Sequence, residues 1–158
     1  MAVKTKTQKQ VNTLISDLQP LEQSPVQSVL TKDQIETENF KLEELEFTDK
    51  IPNELLPNAQ KLLQNLQILR SILKRPVKII PGGGYRSQET NAKVKGAKES
   101  KHLLCQASDI RVEGLTPHQV HETIEKLISE GKMSEGGLGL YSTFVHYDVR
   151  GERARWNG

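Results

Sequence analysis

Ser100-Lys101-His102-Leu103-Leu104-Cys105-Gln106-Ala107-Ser108-Asp109 and Phe144-Val145-His146-Tyr147-Asp148 are the stretches on which the fold turns. Gln106 to Val112 reads as a strand. Alternation along the second stretch puts Phe144, His146 and Asp148 on one face and Val145, Tyr147 and Val149 on the other. His102 falls in the loop before the first strand and Asp109 lies on it, seven residues later. That spacing is too long for one helical face and suits a loop curling back over a sheet. Two strands would thus assemble His102, Asp109 and His146 as a three-ligand zinc site. Two neutral imidazoles and one carboxylate leave a bound Zn2+ with a net charge of about +1 and a fourth position for water, as in catalytic rather than structural sites. A hydrolase is the expectation that follows.

Upstream, Leu62, Leu63, Leu66, Leu69 and Leu73 recur at intervals of three and four, which predicts a helix from Pro57 to Leu73 that lines the core. Arg75-Pro76 ends it, and Val77 to Ile80 reads as a short strand leading into Pro81-Gly82-Gly83-Gly84-Tyr85-Arg86. The glycines lack the Gly-Lys-Ser/Thr of a phosphate loop and the glycine-spaced helix of a dinucleotide loop, so they read as a tight turn delivering Arg86. Phe40 to Leu45 reads as a short helical entry. Downstream, Thr116-Pro117-His118-Gln119 opens a helix with capping-box spacing, and Val120, Ile124, Leu127 and Ile128 form its buried face before Gly131. Gly136 to Tyr141 and Phe144 to Val149 read as paired strands joined by a Ser142-Thr143 turn. The order of elements predicts an α+β fold, a small antiparallel sheet with helices packed on one side.

A chain of 158 residues suits one domain. Its hydrophobic content of 35% is low, and much of that dilution lies in residues 1–38, rich in Gln, Thr, Ser and Lys. These read as a polar N-terminal arm preceding a domain at 39–158. Val11, Leu14, Ile15 and Leu18 form one short amphipathic pattern there before Pro20 and Pro25, with disorder as the alternative. A net charge of +2 with dispersed Lys and Arg argues against a nucleic-acid partner. The single cysteine, Cys105, excludes an internal disulfide, and no apolar stretch reaches the roughly 18 residues of a membrane span. The N-terminus carries no apolar block of the Sec type, so synthesis in the cytoplasm without Sec export, as a monomer, is expected. His118 and His121 fall on a solvated helix face. Lys93, Lys95, Lys98 and Lys101 read as a solvated loop, with contact to an anionic polymer as the alternative.

Gly84-Tyr85-Arg86-Ser87, Asn91, Ser-x-His-x-x-x-x-Ala-x-Asp, Gly-Gly-x-Gly-x-Tyr and Phe-Val-His-x-Asp-x-Arg-Gly occur in that order between Asn39 and Trp156. Together they resemble the zinc D-alanyl-D-alanine carboxypeptidases. More distantly they resemble the zinc D,D-dipeptidases of vancomycin resistance, phage L-alanyl-D-glutamate endolysins and the hedgehog signalling domain. The resemblance implies a hedgehog/D,D-peptidase-like zinc fold with His102, Asp109 and His146 as zinc ligands. It implies Arg86 beside the metal, as a catalytic and substrate-binding group, and Tyr85 and Ser100 as substrate contacts. Asp148 would either hold an imidazole in its metal-binding tautomer or act as catalytic acid and base. Many relatives place an Asp or Glu three residues before the last histidine; here that residue is Thr143, so Asp148 is the candidate base. Cys105 replaces a usual Gly and is expected as a buried small hydrophobe. Trp156 would close the core edge or border the cleft. The implied function is a zinc-dependent peptidase that hydrolyses peptidoglycan stem peptides at a bond involving a D-amino acid, as a carboxypeptidase or endopeptidase, through a zinc-activated water at the cell wall. The alternatives are a zinc-stabilised binding module with reduced catalysis, or a phage particle or lysis component carrying this domain.

Overall fold

The leucine repeat folds as helix α1, Leu56–Leu73, with Pro57 in its first turn and Lys74 in a left-handed conformation (φ 53°) at its end. In this computed structural model, which describes residues 29–158, the face carrying Leu56, Ala59, Leu62, Leu63, Leu66 and Leu69 is fully buried. The short 3-10 helix Leu42–Leu45 supplies Leu42 and Leu45 to the same core, which matches the expected helical entry.

Five strands follow: β1 (Val77–Ile79), β2 (Ala107–Val112), β3 (Gly137–Leu140), β4 (Val145–Asp148) and β5 (Ala154–Asn157), in the sheet order β1-β2-β4-β3-β5. Helices α2 (Gln88–Lys93) and α3 (Pro117–Ser129) complete the α+β architecture. Helix α3 opens with the anticipated capping box between Thr116 and Gln119, and Gly131 lies beyond its end at φ +71°, a conformation glycine adopts without strain. The sheet is antiparallel through β1, β2, β4 and β3, as expected, but mixed overall because β5 pairs parallel to β3. After β4 the chain reverses through Val149 to Arg153 and passes to the far side of β3, so β5 runs opposite to β4 and alongside β3. Arg155 pins this edge strand: its guanidinium donates to Gly136 O at 2.6 Å and to the carboxylates of Glu125 and Glu135.

Strand alternation divides the sheet cleanly. Ile110, Val112, Leu138, Val145 and Tyr147 are buried in the core. On the opposite face, paired registers set Asp109, His146, Gly139 and Trp156 in one row across β2, β4, β3 and β5.

Residues assigned by composition to the N-terminal arm also pack here. Ile35 is only 2% exposed, Glu36 bridges Lys41, and Thr37 Oγ1 donates to Gln67 Oε1 on α1 at 2.8 Å. The expected boundary at residue 38 therefore falls inside the packed structure; averaging over a polar stretch conceals one buried isoleucine. The amphipathic pattern from Val11 to Leu18 and the leader region lie outside the described residues. Among those described, no helix is long and apolar enough to cross a membrane.

Candidate metal centre

His102 sits in the 3-10 turn Lys101–Leu104, whose preceding residue Ser100 accepts the His102 N–H on its hydroxyl at 3.3 Å. Cys105 closes this turn with φ +54°, a left-handed conformation costing a non-glycine residue about 1–2 kcal/mol. That backbone geometry is why a glycine suits the position. Burial pushes the Cys105 thiol up to about 12, so it is a protonated core residue and not a metal ligand.

The glycine turn holds the other side. Gly83 N–H donates to Ile80 O at 2.8 Å, Asp109 N–H donates to Gly83 O at 2.8 Å, and Tyr85 N–H donates to Leu45 O at 2.9 Å. A Cβ on Gly84 would lie 2.6 Å from Leu45 O, so the close approach requires glycine there. The turn delivers Arg86, as its sequence suggests. Arg86 Nε donates to Gly82 O at 3.0 Å, one terminal nitrogen to Asn91 Oδ1 at 3.5 Å and the other to Asp109 Oδ2 at 3.3 Å.

Two second partners determine the histidine tautomers. His102 Nδ1 lies 2.7 Å from Gly84 O, an acceptor only, so Nδ1 carries the proton and Nε2 presents its lone pair, 3.4 Å from Asp109 Oδ2. His146 Nε2 lies 2.8 Å from Asp148 Oδ2 and donates to it, leaving Nδ1 to face Asp109 Oδ1 at 3.1 Å. Ligand atoms of His102, Asp109 and His146 all lie within 4.8 Å of one another. Two neutral imidazole nitrogens and one carboxylate, each buried and oriented by a further partner, form a donor set that fits Zn2+. Without metal, burial opposes ionisation of Asp109, but its contacts with the His102 and His146 rings outweigh it and hold the carboxyl well below its usual range. Burial likewise opposes charge on His146, and Asp109 and Asp148 together reverse this and raise its pKa.

Asp148 does not have the geometry of a general base. It is fully buried, and its carboxylate accepts from Gly137 N at 2.8 Å, Arg150 N at 3.2 Å, Arg150 Nε at 2.8 Å, Arg150 Nη2 at 2.7 Å and the His146 ring. Burial works against its charge, but the Arg150 guanidinium, His146 and the Gly137 N–H overcome that and keep it far below the usual carboxylate range. Of the two roles read from sequence, the geometry supports holding the imidazole and corrects the expectation of a base. Thr143 offers no replacement: it lies in the exposed β3–β4 turn and its carbonyl accepts from Arg111 Nε at 2.9 Å, away from the cleft.

The cluster lies in an open cleft of about 610 Å3, walled by Arg86, Ser100, Lys101, Tyr141, Arg150 and Trp156 among others. Ser100 and Arg86 line this cleft. Tyr85, expected as a substrate contact, is buried and lines an adjoining cavity with Leu55 and Leu104 rather than the metal cleft. Trp156 resolves as a cleft residue, its ring 5.0 Å from that of His146 with the Arg150 guanidinium 5.5 Å from its centroid. Tyr141 and Phe144 stack beside it at 4.4 Å.

Sequence reasoning missed Arg150 and Tyr141, and the available signal was the glycine spacing. A Cβ on Gly137 would lie 2.2 Å from Asp148 Oδ2, and one on Gly139 would lie 2.5 Å from Trp156. These glycines clear space on the sheet for functional side chains from neighbouring strands. His118 pairs with Glu122 on the surface, and among the described residues neither it nor His121 joins a metal-ligand cluster. A family model described as Peptidase M15 matches residues 33–148, which include all three cluster residues. No curated protein matches the chain.

Proposed function

Because the chain belongs to the peptidase M15 family, the zinc D-alanyl-D-alanine carboxypeptidase-like metallopeptidases, we propose that it hydrolyses peptidoglycan stem peptides at a bond involving a D-amino acid, with His102, Asp109 and His146 as its zinc ligands. The observation that carries this reading is the convergence of two tautomer-fixed imidazoles and one carboxylate at the floor of an open cleft. Bound Zn2+ supplies Lewis acidity toward the scissile carbonyl and lowers the pKa of a water to about 7.

The chain's own residues supply the rest. Arg86 uses three of its five N–H groups within the protein, and the remaining two are available to a substrate carboxylate or to the carbonyl oxygen as it gains charge. Ser100 holds the His102 turn through the His102 N–H and keeps its own hydroxyl proton for the substrate. Lys95 and Lys101 line the cleft without an ion-pair partner among the described residues, which suits a substrate bearing carboxylates. Of the carboxylates lining the cleft, Asp109 is a ligand, and Glu99 is the one left to accept a proton from water and return it to the leaving amine.

The test is incubation with defined muropeptides, with Zn2+ and with chelator in parallel, and product identification by mass spectrometry. Chelator-sensitive release of D-alanine identifies a carboxypeptidase, and cutting at one cross-link identifies an endopeptidase. One bound zinc per chain with no product from any muropeptide overturns the peptidase reading. That result favours the zinc-stabilised binding module, a reading motivated by the saturated Asp148 and the missing acid at position 143.

A further inference from the structure

The string Gly136-Gly137-x-Gly139-x-Tyr141 is only half explained by the metal centre. Its glycines make room for Asp148, Arg150 and Trp156, but Tyr141 has no task yet. Its ring is held on several sides. Its backbone N–H donates to Phe144 O at 3.1 Å, its ring stacks on Phe144 with 10° between planes, and Gly158 lies so close to the ring edge that a Cβ there would overlap it. Trp156 Nε1–H donates to the Tyr141 hydroxyl at 3.0 Å.

A phenol accepts hydrogen bonds and has one proton to give. Trp156, a donor only, occupies the accepting side, and among the described residues nothing accepts the Tyr141 proton. Tyr141 lies in the wall of the metal cleft, and Trp156, which orients its hydroxyl, also packs on the ligand His146. The residue is thus a rigid, oriented donor with its one proton uncommitted inside the cleft.

We infer that Tyr141 is a catalytic hydrogen-bond donor, its hydroxyl donating to the scissile carbonyl oxygen of the bound peptide and strengthening as that oxygen gains negative charge. No proton leaves Tyr141. The water oxygen bonds to the carbonyl carbon, the C–N bond breaks, and the water's proton ends on the leaving nitrogen. Donors already in place before charge develops stabilise the transition state more than the ground state, because they need no reorganisation at the moment of reaction. The inference rests on the peptidase reading above.

Tyr141→Phe keeps the ring and its stacking and removes one hydroxyl. With a cleaved stem peptide, kcat is expected to fall about 10²-fold, the loss typical of one missing oxyanion donor, with KM changed less than about threefold and one zinc still bound per chain. Calorimetry should show affinity for a phosphinate peptide, which mimics the tetrahedral oxyanion, falling in parallel while affinity for the cleaved product holds. Trp156→Phe, which removes the orienting N–H, should lower kcat by about tenfold and decides the matter if Tyr141→Phe does not fold. An active wild-type enzyme whose Tyr141→Phe variant keeps kcat within twofold, or loses phosphinate and product affinity equally, overturns the role of Tyr141 alone. Wild-type protein that cleaves no stem peptide and does not bind the phosphinate overturns the peptidase reading and this inference together.

Discussion

His146 and Tyr147 are neighbours on β4 and point to opposite faces of one sheet, and their polar atoms meet opposite fates. On the core face the Tyr147 hydroxyl donates to Ser134 O at 2.7 Å and meets Asn65 Oδ1 at 3.2 Å, and Asn65 in turn accepts from Ser134 N. Burial raises its pKa far above the ordinary tyrosine value. Every polar group there is satisfied inside the protein, as a dry interior requires. On the cleft face Asp148 is saturated too, but the two histidine rings are each held through one nitrogen only. The two histidines spend one nitrogen each on Gly84 O and Asp148 and turn the other toward Asp109. The contrast teaches that bonding capacity left over after packing, rather than polarity itself, marks the working face of this sheet.

The largest effect should come from removing that leftover capacity outright. His146→Ala is expected to lose both bound zinc and all hydrolysis while the core keeps the fold, measured by metal content, turnover and thermal melting. A metal-free His146→Ala protein that still cleaves stem peptides would break the comparison. The complementary change on the other face is Leu66→Ala, in the fully buried stripe of α1. It should cost about 2–5 kcal/mol of stability by denaturant unfolding, with zinc content and kcat unchanged below the melting range.

Two further substitutions sharpen the distinction between a group that works and a group that holds. Asp148→Asn should weaken zinc affinity by about 10–100-fold in a competing-chelator titration, the effect of losing a partner that orients a ligand. If Asp148 were the base instead, zinc affinity would persist and only kcat would fall. Tyr147→Phe, on the saturated face, should cost about 1 kcal/mol by removing the hydrogen bond to the half-buried Ser134 carbonyl. A loss of zinc affinity in that variant would show that the two faces are not independent.

These differences mark how far the sequence is legible. Alternation on β4 and the leucine repeat of α1 depend on periodicity, and both appear as read, as do the capping box of α3 and the turn that carries Arg86. The cluster that could hold a metal was also readable, because two histidines and one aspartate fall in two short strings that neighbouring strands bring together. What escaped depends on contacts between distant segments. The saturation of Asp148 needs Arg150 folded back over its own strand, and the position of Trp156 needs β5 placed parallel to β3. Ile35 was hidden because one apolar residue in a polar stretch has no period of its own.

The smallest predicted effect lies at the edge that holds Trp156 in place. Glu125 on α3 accepts from Arg155 at 2.7 Å on β5 and from Arg153 at 2.8 Å, and those hydrogen bonds, working against its partial burial, lower its pKa from 4.5 to about 2. A carboxylate depressed on folding contributes stability that is fully present above its unfolded pKa of 4.5 and is lost as pH falls toward about 2. Because the Glu125 side chain is about a third exposed, solvent screening discounts that contribution to less than about 1 kcal/mol. Melting curves of wild type and Glu125→Gln should therefore differ by a small, constant amount above about pH 5 and converge as pH falls to about 2. A gap that widens on acidification would show that Glu125 does not act through its charge. Cleft activity measured near neutral pH should fall in the same variant only as far as Trp156 loosens, which ties the edge of the sheet to its working face through β5 alone.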